Sequence, residues 1–177
     1  WNQSTVLQTT RTDGQTSPKT CKAIAGKVQV CNSSYGKTGW LGIAQVWVSG
    51  SHITKGTTKL NDSYFNSPPY NTTAWRNLVM CQEVGHTFGL AHQDENFANA
   101  NLNSCMDYTS DPSTNQHPNA HDYAQLETIY AHPDSTTTVA PSPMPPAMND
   151  IDFDGPGQWG RLVKSQRAGR LQTFEQD

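Results

Sequence analysis

The chain of 177 residues is long enough for one compact domain and a small appendage. Only 34% of its residues are hydrophobic and 15% are charged, which predicts a globular protein with a polar surface rather than a highly charged disordered chain. The net charge of -3 gives no indication of a nucleic-acid or anionic-membrane partner. No apolar run approaches the roughly 18 residues that a membrane span needs.

Strand and turn signals dominate the first part of the chain. We expect strands at 4–8, 26–30, 40–48 and 52–60, the last of them either a further strand or an edge. The apolar spacing then changes, and it predicts a helix over 74–90. Gly89 stands where a C-cap glycine would end that helix.

The second part of the chain is mostly irregular. Residues 93–118 are polar and show little periodicity, which is typical of a functional loop or a disordered segment. A second helix is predicted over 119–131, with Asn119 as its N-cap. Its buried stripe would comprise Tyr123, Leu126, Ile129 and Tyr130.

The C-terminal part has a different composition. Residues 134–150 are rich in Pro, Ser and Thr, which predicts an extended linker. Within 151–177, the segments 160–164 and 170–174 flank a turn sequence and suggest a hairpin. Two placements are open, because the hairpin could belong to a second domain that is cut short or could extend the first sheet.

Cysteines and sequons suggest a secreted protein. The cysteines are Cys21, Cys31, Cys81 and Cys105, an even number that predicts two disulfides with three alternative connectivities. The Asn-x-Ser/Thr sequons begin at Asn2, Asn32, Asn61 and Asn71, either by chance or as glycosylation sites. Both features favour an oxidising setting, so we expect a secreted, extracellular glycoprotein in a processed form.

The segment that begins at Gln82 carries the chemistry and reads Gln-Glu-Val-Gly-His-Thr-Phe-Gly-Leu-Ala-His. On a helix, Gln82 and His86 project from the same face and can bind one metal ion. Glu83 would lie beside the metal and could take a proton from water. Gly89 permits a sharp turn that returns His92 as a third ligand. Three protein ligands and a water molecule form an open, catalytic type of site.

This segment resembles the extended zinc signature of the metzincin metallopeptidases, H-E-x-x-H-x-x-G-x-x-H, with Gln82 in place of the first histidine. The sequence Ser104-Cys105-Met106-Asp107-Tyr108 is similar to the Met-turn of that family. A tyrosine two residues after the methionine is similar to astacins and serralysins. The glutamine variant resembles gametolysin-like matrix peptidases of green algae.

The resemblance implies an α+β fold. We expect a twisted, mixed and mostly parallel sheet with an active-site helix and a Met-turn, over a smaller irregular C-terminal half. The strand-rich part would span 1–89 and the whole catalytic domain 1–133. The implied activity is that of a metalloendopeptidase, a monomer that cleaves proteins or peptides and has no nucleic-acid or membrane partner.

The resemblance also implies roles for individual residues. Gln82, His86 and His92 would hold the metal, which we expect to be Zn²⁺, with Cu²⁺ as an alternative because a neutral amide is a poorer zinc ligand than imidazole. Glu83 would be the general base, and Tyr108 would hydrogen-bond the oxyanion. The alternative function is a catalytically weak or inactive protein of peptidase fold that binds metal or peptides.

Further structural expectations follow from the resemblance. Met106 would lie beneath the metal. Because the family stacks the Met-turn under the active-site helix, a Cys81–Cys105 disulfide is expected, which leaves Cys21 to pair with Cys31. An extended peptide would pair with an edge strand within 41–60.

Overall fold

The computed structural model of the chain describes residues 1–132, 161–166 and 171–175. In chain order the elements are β1 (Val28–Ser33), β2 (Gly42–Ser49), β3 (His52–Asn61), α1 (Asp62–Phe65), α2 (Thr73–His86), α3 (Ala120–Ile129), β4 (Arg161–Gln166) and β5 (Leu171–Glu175). Within these ranges, no helix has the length and apolar character needed to cross a membrane. The chain combines α and β structure in the way that an α+β fold predicts.

The strands form one mixed sheet in the order β1-β3-β2-β5-β4. Strand β3 pairs in parallel with β1, whereas the pairs β3–β2, β2–β5 and β5–β4 are antiparallel. The sheet is therefore mixed, but the expectation that it is mostly parallel was wrong for the described strands. A cause is the tight turn after Ser49, where Gly50 has a φ of 61°, because so short a connection joins antiparallel strands.

Helix α2 packs against β2 and β3 and so positions the predicted site residues. Leu78 and Val79 of this helix form one buried cluster with Leu60 and Phe65. A second cluster lies under the later turns of the helix and comprises Phe88, Leu90, Cys105, Met106, Leu126 and Ile129. The site segment is thus held between the sheet and the irregular C-terminal half.

The strand predicted at 4–8 is absent, and that expectation was wrong. The hydroxyl of Ser4 accepts hydrogen bonds from the backbone N–H groups of Val6 and Leu7. The side chain of Asn2 pairs with the backbone N–H and carbonyl of Thr9. Such local side-chain bonds give the backbone an alternative to a sheet ladder.

The two longer helices are close to their predicted bounds. Helix α2 ends at His86 rather than at Leu90, and its C-cap is Thr87, whose hydroxyl donates to the carbonyl of Val84. Gly89 is not the C-cap but a turn residue beyond it. Helix α3 has the predicted cap, because Asn119 forms a capping box.

The predicted stripe of α3 is buried at Leu126 and Ile129 and half-buried at Tyr123 and Tyr130. The short helix α1 was not predicted, and it begins where the Asn61 side chain accepts from the N–H of Ser63.

The C-terminal hairpin was predicted correctly as a strand pair. Strands β4 and β5 are antiparallel, and β5 extends the first sheet by pairing with β2. This decides between the two placements left open by the sequence. The predicted linker at 134–150 lies outside the described residues.

Candidate metal centre

Helix α2 brings three of the predicted site residues to its last two turns. Gln82, Glu83 and His86 are each at most 2% exposed. The N-cap of the helix is Thr72, whose side chain accepts from the N–H of Trp75. Because Gln82 and His86 are four residues apart, they share one face of the helix.

His92 returns to the helix after a left-handed turn. Gly89 has a φ of 95°, a conformation that glycine adopts without steric cost. The Nε2 atoms of His86 and His92 then lie 2.9 Å apart, with the two rings inclined at 83°. The predicted return of His92 to the helix is therefore present in the structure.

The second nitrogen of each imidazole faces an oxygen acceptor. His86 Nδ1 lies 2.8 Å from the carbonyl oxygen of Leu90, and His92 Nδ1 lies 3.1 Å from Oε1 of Glu95. Because these oxygens accept, each Nδ1 carries the proton and each Nε2 presents a lone pair. Two converging imidazole lone pairs are donors of the kind that bind metal ions.

Two buried side chains next to the histidines have unpartnered polar atoms. Both Oε1 and Nε2 of Gln82 lack a hydrogen-bond partner, and so does Oε1 of Glu83. Buried polar atoms almost always have partners, so these exceptions call for an explanation. A cation that binds the amide oxygen of Gln82 would explain one of them, and the residues present therefore fit a metal ion.

The converging set consists of two histidines and a glutamine. The described ranges contain no group of three or more His, Cys, Asp or Glu side chains that could hold a metal. Glutamine is not one of these four residue types, although its amide oxygen can also bind a metal. Its amide oxygen is a harder and neutral donor, which favours weaker zinc binding than a third imidazole would give.

Burial sets the protonation of the site. It lowers the pKa of His92 to about 3 and, together with the neighbouring His92, lowers the pKa of His86 well below its usual value. Both imidazoles are thus neutral, the form that binds metals. Burial raises the pKa of Glu83 to about 8, against the opposing effect of a hydrogen bond from the backbone of Ala44. A carboxyl group with a pKa near neutrality is suited to accept and release a proton.

The predicted Met-turn lies directly under helix α2. Met106 is fully buried, and a Cβ atom built on Gly85 would lie 2.6 Å from its Sδ atom. The Cys81–Cys105 disulfide joins the helix to this turn, and Cys21–Cys31 is the second disulfide. Both predicted pairings are confirmed.

Tyr108 lies against the third candidate ligand. Its ring centroid is 4.4 Å from that of His92, and Phe97 stacks on the same ring with a centroid distance of 4.8 Å. The backbone N–H of Tyr108 donates to the carbonyl of Asp94 at 3.0 Å. The segment after His92 is therefore bound to the Met-turn by backbone contacts.

An open polar pocket of about 570 Å³ adjoins these rings, since Phe97 also lines it. Its other lining residues are Ala98, Asn99, Asn101, Asn103, Thr109, Ser110, Asp111, Ser113 and Thr114. Amides, hydroxyls and one carboxylate dominate this wall, so the pocket is suited to a polar side chain.

Strand β2 lies directly beside Glu83. A Cβ atom at Gly42 would be 2.7 Å from Cγ of Glu83, a separation that only a glycine permits. Two residues along the same strand, the backbone of Ala44 hydrogen-bonds to the Glu83 carboxyl group. The sheet and the candidate general base are thus in contact at the start of β2.

Sequence reasoning missed two residues that support the site. Glu95 contacts His92 through its carboxylate, and its position three residues after a candidate ligand was an available signal. Trp1 donates from Nε1 to the carbonyl of Cys81 at 3.2 Å and packs edge-on against Phe88. No local pattern indicates that an N-terminal tryptophan reaches this helix.

No protein-family model matches the chain, and the searches of curated proteins and of solved structures found no significant match.

Proposed function

We propose that the chain is a secreted metalloendopeptidase with a metzincin-like catalytic domain at 1–133. The observation that supports this most directly is the convergence of the His86 and His92 Nε2 atoms beside two buried side chains with unpartnered polar atoms, Gln82 and Glu83. The two disulfides are consistent with an extracellular protein.

In this proposal Gln82, His86 and His92 hold the metal. We expect Zn²⁺, with Cu²⁺ as the alternative that the glutamine oxygen leaves open. A bound ion would polarise the scissile carbonyl and acidify a water molecule. The carbonyl of Leu90 and the carboxylate of Glu95 keep both histidines in the tautomer that binds metal.

The other residues act on protons and on the substrate. Glu83, next in the chain to Gln82, accepts the proton of the attacking water and passes it to the leaving amine. Tyr108, adjacent to His92, donates a hydrogen bond to the oxyanion. The polar pocket beside Phe97 receives a polar side chain of the substrate.

The test is cleavage of an unfolded protein substrate by metal-analysed samples. The chain should show cleavage that a chelator abolishes. Because general bases typically contribute about 10²–10⁴-fold, Glu83→Ala should lose activity by that factor while it retains its metal. Glu127→Ala, which removes an exposed carboxylate of α3, is the matched control and should cleave normally. Unchanged turnover in Glu83→Ala would remove Glu83 from the catalytic role.

Gln82 also supports a second candidate function, a protein of peptidase fold that binds metal or peptides without hydrolysis. Gln82→His distinguishes the two, because a third imidazole should tighten zinc binding. Cleavage only in Gln82→His would favour the binding protein. Cleavage by the chain itself would show that the glutamine site is catalytically competent.

A further inference from the structure

The C-terminal strand β5 lies on the outer edge of β2. The pairing is antiparallel and joins Gln45 to Thr173, Val46 to Gln172 and Trp47 to Leu171. Without β5, the described order β1-β3-β2 would end at β2 with unpaired backbone N–H and C=O groups. Such an edge is a template for a further extended strand.

The stretch of β2 that pairs with β5 begins next to a residue that contacts the candidate general base. Ala44 contacts the Glu83 carboxyl group through its backbone, and the ladder with β5 starts at Gln45. Because the pairing is antiparallel, β5 runs from Trp47 towards the Ala44 end of β2. A peptide that bound by strand addition at the candidate site would need these same backbone groups.

We infer that β5 is an internal occupant of the peptide-binding edge, and that it must leave β2 before a protein substrate can pair there. This inference rests on the proposed function insofar as it takes the cleft beside Glu83 as the place where peptides bind. The hairpin can leave as a unit, because β5 pairs with β4 over five residue pairs and with β2 over only three. A tethered strand competes at an effective concentration of roughly millimolar, so weakly bound peptides would be excluded.

Thr173→Pro in the full chain tests this inference. Proline removes a backbone N–H and is not accommodated inside a central strand, so β5 should detach. Thr173→Val is the matched control, because valine keeps the N–H group and favours strands. Alternate amides of β2 point to opposite neighbouring strands, so among Gln45, Val46 and Trp47 only those that face β5 rather than β3 should exchange faster, and in the proline variant alone.

Two functional measurements follow on the same proteins. Since a tethered competitor acts mainly on apparent affinity, Thr173→Pro should lower the KM for an unfolded protein by about fivefold or more, with little change in kcat. A fluorescent peptide should bind more tightly to the same extent in the Glu83→Ala background, where no cleavage is needed. Unchanged KM and unchanged peptide affinity, together with faster exchange in β2, would overturn the inference.

The peptide measurement separates this inference from the proposed function. If no form of the chain cleaves protein, but Thr173→Pro binds the peptide more tightly, the peptidase proposal fails and the inference stands. A synthetic peptide of residues 161–175, added to the Thr173→Pro protein, should restore the weaker affinity. The same peptide carrying Thr173→Pro should not, and equal competition by both peptides would also contradict the inference.

Discussion

At the residue scale, Glu95 is a side-chain partner of His92, one of the proposed metal ligands. Its Oε1 atom lies 3.1 Å from His92 Nδ1 and orients the ring. Because loss of such a partner typically weakens metal binding about 10–100-fold, Glu95→Ala should raise the zinc Kd by a factor in that range. Glu95→Gln should lose less, since an amide oxygen still accepts. Competition with a chromogenic chelator measures both, with Glu127→Ala as the control, and equal Kd values in all forms would contradict the orienting role.

Single residues also show where sequence reasoning stops. The motif offsets predicted that His92 returns to His86, because helical spacing and a glycine turn are local properties. The sequon at Asn61, by contrast, did not indicate whether this asparagine is accessible to a glycan. That side chain is fully buried, and its Nδ2 donates to the carbonyls of Gly36 and Trp40. A glycan on Asn61 is incompatible with this fold, and only the tertiary structure shows it.

At the element scale, the contact between α2 and the Met-turn depends on Gly85. A Cβ atom there would lie 2.6 Å from Sδ of Met106 and 2.7 Å from the ring of Trp1. In an exposed helix, alanine would gain about 1 kcal/mol over glycine, whereas overpacking a core costs typically 1–3 kcal/mol. The free-energy cost of the clash should exceed the gain in helix propensity, so Gly85→Ala should lower the free energy of unfolding.

Chemical denaturation measures this change. Gly14→Ala is the matched control, because no atom lies within 4 Å of a Cβ built at Gly14. A Gly85→Ala protein as stable as the parent would show that Met106 and Trp1 move aside without cost.

Element boundaries were predictable where caps and turns are local. Asn119 caps α3 as its sequence predicts. Helix α2 ends early because the backbone N–H groups of Thr87, Phe88 and Gly89 bond to carbonyls three residues back rather than four. The strand predicted at 4–8 is absent because the Ser4 hydroxyl accepts hydrogen bonds from the backbone N–H groups of Val6 and Leu7. The pairing of β5 with β2 could not be predicted, because the two strands are far apart in the sequence and local patterns do not indicate which sheet edge a distant strand joins.

At the scale of the whole molecule, the two disulfides differ in the parts of the chain that they connect. Their cysteines are 24 residues apart for Cys81–Cys105 and 10 for Cys21–Cys31. Chain entropy predicts that each contributes about 3 kcal/mol, with a difference below about 1 kcal/mol. Stability alone therefore does not distinguish them. Only the first one encloses His86 and His92 and joins α2 to the Met-turn.

The two double variants should consequently separate in metal affinity. Cys81→Ala with Cys105→Ala frees the Met-turn from α2, so its zinc Kd should rise by about tenfold or more, as for loss of a supporting contact. Cys21→Ala with Cys31→Ala should lose similar stability, yet should bind zinc as the parent does under folding conditions. Calorimetric titration with zinc, alongside unfolding curves for both proteins, makes the comparison. Equal zinc affinities in two folded variants would mean that packing of Met106 against Gly85 suffices to hold the site together.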